Sequence, residues 1–245
     1  YGTYTYLYEF PPAALTTDTT TTLSGLAYGN GPYTATSSTN AGASYTAYRA
    51  FEKTTGAAGT YWLSAQYVYS TNGLYVGTAV TTGVVGGLGS IAGEWVDLTF
   101  PVSISLFSYS LQCLNDDVTN QYAQSPNTFY ILGSNDNGTT WVPVDYRSGI
   151  TWNTSGQVQT FKTNLTGTNI GFTRFRIVIV KNNYSVGVNQ TYTSFGEWRL
   201  YGFFLDVIGS SRNGAYQETI QDKSLKGSLN FLSSYENALT DSDRT

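Results

Sequence analysis

Between Tyr61 and Phe204, short runs of alternating apolar and polar residues recur, and each run stops at a turn signal. Successive side chains of a strand point to opposite faces, so a period of two marks a half-buried strand, whereas a helix repeats roughly every 3.6 residues. Trp95-Val-Asp-Leu-Thr-Phe100 alternates and is expected to end at Pro101, because proline has no N–H for a ladder. Ile104 to Leu114 is a second long run. Phe129-Tyr-Ile-Leu132 is followed by Asn135-Asp-Asn-Gly138, a strong hairpin-turn signal, and then by Trp141-Val-Pro-Val144. Phe172 to Val180 alternates large apolar residues with Arg174 and Arg176, and Trp198 to Phe204 closes the series. No helical period lies between these runs. Together they predict an all-β antiparallel sandwich or jelly roll.

The two ends of the chain read differently. Tyr4, Tyr6 and Tyr8 alternate with Thr5, Leu7 and Glu9, an edge-strand pattern that Pro11 and Pro12 terminate. The threonine run from Thr16 to Thr22 reads either as mucin-like low complexity or as the approach to a short strand at Leu23. After Leu205 the character changes: 10 of the chain's 28 charged residues (12 Lys+Arg and 16 Asp+Glu) fall in 206–245. A weak helical period there runs through Ile220, Leu225, Leu229, Leu232 and Tyr235, weakened by Gly227. The expected organisation is an N-terminal extension over 1–44 that belongs to the sandwich, a sandwich domain over 45–205, and a partly helical C-terminal arm over 206–245.

Residue types that are missing exclude whole chemistries. There is no His, which removes Ser-His-Asp triads, His-based proton transfer and His-ligated zinc. The single Cys113 cannot form an intramolecular disulfide and reads as a small buried hydrophobe within a strand. A glycosidase carboxylate pair survives in principle, but Asp116-Asp117 reads as a solvated turn, with weak calcium binding as the lesser alternative. Gly83 to Gly89 lacks the Lys-Ser/Thr of a phosphate loop and reads as a plain loop. The expectation is therefore that the chain is not an enzyme. Net charge is −4 with only 12 basic residues, so nucleic acid is not an expected partner. No apolar run reaches the roughly 18 residues of a membrane-spanning helix, so no transmembrane segment is expected. The chain lacks Met, so Tyr1 is expected not to be the translation start.

Four segments in order resemble the discoidin family, also called coagulation-factor type C or galactose-binding-like domains. They are Ala47-Tyr-Arg-Ala-Phe51-Glu-Lys53 with Thr60-Tyr-Trp62; Gly93-Glu-Trp95-Val-Asp97-Leu98; Phe129 to Trp141, with its Gly-Ser134-Asn-Asp-Asn-Gly138 turn; and Phe175-Arg176-Ile-Val-Ile179 with Gly196-Glu197-Trp-Arg-Leu-Tyr201-Gly202. The resemblance covers roughly residues 45–204 and implies a discoidin-like antiparallel jelly-roll sandwich. A narrower likeness, through Tyr8 to Leu15 and Leu23 to Tyr33, is to discoidin-like repeats in structural proteins of large DNA viruses.

The family resemblance implies a structural calcium near Glu52, Thr60 and Glu197, since hard oxygen ligands suit that ion. The chain departs from the family in having Glu52 for Asp and a longer loop from Thr54 to Gly59. The alternative is that Glu52 and Glu197 accept backbone N–H bonds or pair with Arg49, Arg176 or Arg199. The viral likeness implies a virion structural protein, such as a minor capsid, fibre or surface-decoration component. Such a protein would sit at a virion or extracellular surface in an oligomeric context, contacting neighbouring structural proteins. The alternative function is a carbohydrate-binding module. Relatives bind ligands through loops at one end of the sandwich, so Tyr69, Tyr75, Tyr122, Tyr184 and Tyr192 are expected as sugar platforms. Asn120, Gln121, Asn183 and Asn189 are expected to bond hydroxyls. Leu74 and Val84-Val85 are lipid-spike candidates, which net negative charge does not help on anionic lipid. Five Asn-x-Ser/Thr sequons, at Asn137, Asn153, Asn164, Asn183 and Asn189, are glycosylation candidates, with Asn137 the most accessible.

Overall fold

A computed structural model describes residues 7–57, 59–81, 84–115, 121–163, 170–183 and 191–204. One compact unit runs from Tyr1 to Leu205. The expected C-terminal arm and the Asp116-Asp117 turn lie outside the described residues. The described strands, in chain order, are β1 (Tyr8–Phe10), β2 (Thr21–Leu23), β3 (Gly31–Ser37), β4 (Trp62–Leu63), β5 (Val84–Val85), β6 (Glu94–Gln112), β7 (Pro126–Ser134), β8 (Thr140–Arg147), β9 (Val158–Lys162), β10 (Phe172–Asn182), β11 (Ser194–Phe195) and β12 (Glu197–Phe204). Two short 3₁₀ turns, Ala47–Phe51 and Gln121–Gln124, are the helical elements among the described residues. The described residues form an all-β sandwich, as the alternation predicted.

Strand β6, 19 residues long, joins the two layers of a sandwich. Its first part pairs with β10, from Glu94↔Ile179 to Thr99↔Arg174, and with β3, from Val96↔Ser37 to Thr99↔Thr34. Its second part pairs with β12, from Ile104↔Phe204 to Gln112↔Glu197, and with β9, from Ser108↔Lys162 to Gln112↔Val158. One layer is thus β3-β6-β10-β7-β8, with β2 beside β3 and β5 beside β8; the other is β1-β12-β6-β9. The expected stop at Pro101 is corrected, because β6 runs through it. Pro101 lies where β6 changes partners and no ladder bond is asked of it, so its missing N–H costs nothing there.

The alternation of β10 separates two clusters. Phe175, Ile177 and Ile179 point between the layers, where they join Leu98, Phe100, Tyr109, Phe129, Trp198 and Leu200 in the main core. Phe100 links the layers edge-on, with ring centroids 5.9 Å from Phe10 and 5.6 Å from Phe175. On the opposite face of the same sheet, Val178 packs with Val85, Ile91, Leu132 and Trp141. That outer face also holds fully buried Asp97, which receives Thr36 Oγ1, Arg174 Nη2 at 2.9 Å and Arg176 Nη2 at 2.6 Å. The Arg176 guanidinium lies 3.5 Å from the Trp95 ring centroid and 4.4 Å from that of Trp141. The two indole faces replace lost water around the cation, and the carboxylate neutralises it. Arg174 and Arg176 therefore bind the outer layer together rather than facing solvent.

The β7–β8 hairpin turns where the sequence placed it. Asn137 (φ 57°) and Gly138 (φ 85°) take the left-handed backbone that such a turn requires. At this end also lie the start of β10 and the crossing of β6. At the other end lie the described residues that follow β3, β4, β6, β8 and β10, where Ala41 N donates to Leu63 O, Cys113 N to Gln157 O and Asn183 N to Ser125 O.

Candidate functional site

At that loop end a small ladder carries Tyr67, the most exposed aromatic side chain among the described residues. Strand β4 pairs with β11 through Leu63↔Ser194 and Trp62↔Phe195. Ala41 N donates to Leu63 O at 2.9 Å, and Leu63 N donates back to Tyr45 O at 3.4 Å. Ser64 N donates to Thr193 O at 3.0 Å, while Val68 N and Tyr69 N both donate to Thr191 O. The segments around residues 41–45, 61–69 and 191–195 are thereby held side by side. Buried Trp62 anchors them: its indole N–H donates to Thr39 O at 3.1 Å and its ring packs 5.3 Å from Phe195.

Three tyrosines reach the surface of this ladder, Tyr45, Tyr67 and Tyr192, and a fourth, Tyr61, is buried beneath Tyr45. Tyr45 and Tyr61 pack at 5.1 Å between centroids. Tyr67 stands out from the turn between β4 and the Thr191 contacts, 70% exposed, with φ 66°. Tyr192 is half-buried, and its phenol pKa is pushed up by partial desolvation and then by the neighbouring phenols of Tyr67 and Tyr45. Beside it, Thr191 Oγ1 is buried with no hydrogen-bond partner among the described residues. Gln66 and Ser44 are exposed on the same segments. The result is an open aromatic surface with side-chain amide and hydroxyl groups at its rim.

The residues expected from sequence divide. Tyr192 lies in this surface. Tyr69 does not: it is 1% exposed, and its hydroxyl donates to Ile179 O at 2.7 Å, so it is a core residue and a correction to the platform expectation. Tyr75 is likewise corrected. Its ring packs edge-on against Tyr69 at 5.4 Å, and its hydroxyl donates to buried Glu94 and accepts from Ala79 N. Tyr122 is half-buried against the main core. Asn183 is half-buried and donates its amide to Trp152 O at 2.9 Å. Gln121 falls in the second 3₁₀ turn. Asn120, Tyr184 and Asn189 lie outside the described residues. Tyr45, Tyr61 and Tyr67 were missed. Tyr67 opens the segment Tyr67 to Tyr75 that reads as a ligand loop, but no feature of the sequence announces its left-handed backbone or its exposure over that of Tyr69.

Of the sequons, Asn137 is exposed, but its Oδ1 accepts Arg174 Nη1 at 2.9 Å. Asn153 is exposed in the loop before β9. Asn164 lies outside the described residues. Leu74 and Val84 are exposed, whereas Val85 is buried against Trp141 in the outer cluster and cannot serve as a spike. Cys113 is buried, its Sγ 3.2 Å from Thr154 O and its pKa pushed up to about 11 by burial. A thiol held protonated in this way is a poor nucleophile.

Glu52, Thr60 and Glu197 do converge, around Thr54. Glu197 Oε1 accepts Thr54 N at 2.6 Å; Thr54 Oγ1 lies 3.4 Å from both Glu52 Oε1 and the Thr60 carbonyl. Two glycines permit this approach. A Cβ on Gly196 would come within 2.7 Å of Gly56 Cα, so only Gly at both positions lets the loop lie on the start of β12. Glu197 is 2% exposed, and its second oxygen, Oε2, has no hydrogen-bond partner among the described residues. Burial raises its pKa to about 8, against the lowering effect of the Thr54 N–H. Arg49 pairs with Glu52 at 2.7 Å, and Lys53 with Glu9. Arg176 belongs to Asp97 and takes no part. Among the described residues no group of three or more His, Cys, Asp or Glu side chains converges, so a cation here would rely on hydroxyl and backbone oxygens beside the two carboxylates. The donors are all hard oxygens, and a buried carboxylate oxygen without a partner is what such an ion satisfies.

No family model matches this sequence, and no curated protein matches it. Solved structures do. The family 32 carbohydrate-binding module of Clostridium perfringens NanJ, solved with galactose, is 14% identical, with 69% of this chain and 93% of that chain covered at a TM-score of 0.44. Chitosan-binding module 1 from a Paenibacillus chitosanase/glucanase is 20% identical, covering 69% and 94% at 0.44. The F5/8 type C domain of a Bacteroides fragilis protein is 17% identical, covering 71% and 93% at 0.45.

Proposed function

We propose that this protein is a non-catalytic carbohydrate-recognition module whose binding surface is the tyrosine cluster at the loop end. The observation that carries this reading is the exposure of Tyr67 beside Tyr45 and Tyr192, with buried Tyr61 supporting Tyr45, on a rigid ladder. A sugar ring presents C–H groups on one face and hydroxyls around its edge. Stiff phenol rings match the face, and their hydroxyls, with the exposed Gln66 and Ser44, match the edge. Placing these groups on paired segments reduces the ordering cost of binding. A glycan array probed with the full chain tests the reading: signals on a subset of sugars that disappear in Tyr67→Ala and Tyr192→Ala support it, and a blank array overturns it.

The convergence of Glu52, Thr54, Thr60 and Glu197 supports a second element of the same proposal, a structural calcium ion. Glu197 Oε2, Glu52 Oε1, Thr54 Oγ1 and the Thr60 carbonyl are the oxygens that would hold it. The ion would neutralise the buried carboxylate and fix the loop on β12. The viral likeness of the N-terminal segment extends the proposal to a setting: a recognition face presented from a virion or other extracellular assembly, with neighbouring structural proteins as partners. Electron microscopy of the native source tests that setting, which fails if the chain occupies no fixed place in a particle.

A further inference from the structure

Glu94 opens β6 at the loop end, fully buried, and forms no ion pair among the described residues. Its partners are three hydroxyls. Ser38 Oγ donates to Oε2 at 2.5 Å, Thr39 Oγ1 donates to the same oxygen, and Tyr75 OH donates to Oε1 at 3.1 Å. Each hydroxyl also accepts a backbone N–H: Trp95 N at 2.8 Å on Ser38, Ala65 N at 2.9 Å on Thr39 and Ala79 N at 2.7 Å on Tyr75. A hydroxyl has one proton to give. Ser38 has a second, longer acceptor in Trp95 O at 3.3 Å, whereas Thr39 and Tyr75 have no other acceptor among the described residues. Their protons therefore point at residue 94 from two sides, and both of its side-chain oxygens must accept. A carboxylate does this. An amide would turn an N–H toward one of the hydroxyls and strand it.

The carboxylate thereby ties together segments that lie far apart in the chain, and two of them lead into the tyrosine surface. Thr39 O holds the Trp62 indole, and two residues on, Ala41 N donates to Leu63 O. Ala65, held by Thr39, follows Ser64, whose N–H donates to Thr193 O, and lies two residues before Tyr67. The third segment, at Ala79, contributes no tyrosine to that surface. A buried charge without a counter-ion is a costly way to stabilise a core. What this one supplies is geometry. We infer that Glu94 is a positioning residue for the tyrosine surface: through Thr39 and Ala65 it sets the spacing of the segments that bear Tyr45 and Tyr67. The inference rests on the carbohydrate reading above and names a buried residue, outside the surface itself, on which that surface depends.

The test combines site-resolved amide hydrogen exchange with a glycan array, for the unaltered full chain and for Glu94→Gln, Thr39→Val and Tyr75→Phe. The expected result follows the wiring. In Glu94→Gln and Thr39→Val, the Ser64, Ala65 and Val68 amides should exchange about tenfold faster, while Leu98 and Ile177 in the paired sheet change by less than about twofold. The protein concentration that half-saturates the strongest array spot should rise about tenfold in both variants. Tyr75→Phe should free the Ala79 amide yet leave that concentration within about threefold of the unaltered chain's. Exchange that accelerates equally at Leu98 and Ile177 overturns the inference, because Glu94 then serves the fold as a whole. Ladder amides that do not accelerate overturn it as well. A loosened ladder with unaltered array binding, or an equal loss of binding in Tyr75→Phe, overturns it while leaving the carbohydrate reading standing. If the unaltered chain binds no spot, the carbohydrate reading itself fails, and the inference with it.

Discussion

The sandwich core and the loop end use tyrosine in opposite ways. Tyr33, Tyr69 and Tyr109 are buried between or against the sheets, and each phenol has a fixed acceptor: Gly29 O at 3.0 Å, Ile179 O at 2.7 Å and Asp145 Oδ2 at 2.7 Å. Burial raises the pKa of all three, so they stay protonated donors at any physiological pH. At the loop end, Tyr67 projects into solvent, and Tyr45 and Tyr192 are partly exposed beside it. An abundance of tyrosine is thus not a binding signature in itself. Exposure, and whether the hydroxyl is already engaged within the fold, separate a packing residue from a recognition residue. The two regions should therefore respond independently to substitution.

The hardest test of that independence strikes the framework. Asp97→Ala leaves Arg174 and Arg176 without their carboxylate on the outer face of the sheet. Removing one partner of a buried ionic cluster costs about 3–5 kcal/mol. Urea unfolding should show that loss, and at temperatures where the variant stays folded, glycan binding should be unchanged. A variant that remains stable but loses binding would break the separation of framework from surface.

Glu197 gives the loop end its own buried charge and its own pH dependence. Its folded pKa, near 8, lies above the ordinary carboxylate value, so the folded state holds a proton that the unfolded state has released. Its contribution to stability is complete below the ordinary carboxylate range and is lost as pH rises toward and through about 8, a change of a few kcal/mol at most. Thermal melts in chelator should show this decline between about pH 5 and pH 8. Added calcium should restore stability at the upper end of the window, and Glu197→Gln should flatten the pH dependence and abolish the calcium response. A calcium response that survives Glu197→Gln would remove the ion from this site.

A smaller contrast lies between two tyrosines separated by one residue. Tyr69→Phe leaves the Ile179 carbonyl without its phenol donor in the core, at a cost of roughly 1–3 kcal/mol. Tyr67→Phe removes an exposed hydroxyl and should change stability by less than about 0.5 kcal/mol. Chemical denaturation of the pair measures the difference; equal effects would mean that the two rings share an environment.

How much of this was legible in the sequence follows from which interactions are local. The strands of the sandwich were, because period-two alternation and turn chemistry are written residue by residue: Asn135 to Gly138 specify their turn, and Phe175, Ile177 and Ile179 specify a buried face. The passage of β6 through Pro101 was not, since it depends on partner strands far away in the chain. Of the calcium candidates, Glu52, Thr60 and Glu197 do meet, but what brings them together is the close approach of Gly56 to Gly196, which no spacing reveals. The tyrosine surface was half-legible. Tyr192 was found from its loop, whereas Tyr69 and Tyr75 were assigned to it wrongly because loop position says nothing about which phenol finds an internal acceptor.

The smallest effect is also the most pointed. Tyr67 holds a left-handed backbone, φ 66°, which a residue with a Cβ adopts at a cost of roughly 1 kcal/mol and glycine adopts freely. Its ring is largely exposed and returns little packing energy to the fold. Tyr67→Gly should therefore leave stability unchanged or raise it by up to about 1 kcal/mol, less what glycine loses by its greater freedom in the unfolded chain. The same substitution should abolish glycan binding. A residue whose removal stabilises the fold and eliminates binding is one retained for recognition. If Tyr67→Gly instead destabilises the chain by more than about 1 kcal/mol, the ring contributes to packing, and the contrast between core and surface tyrosines no longer holds at the position where it is sharpest.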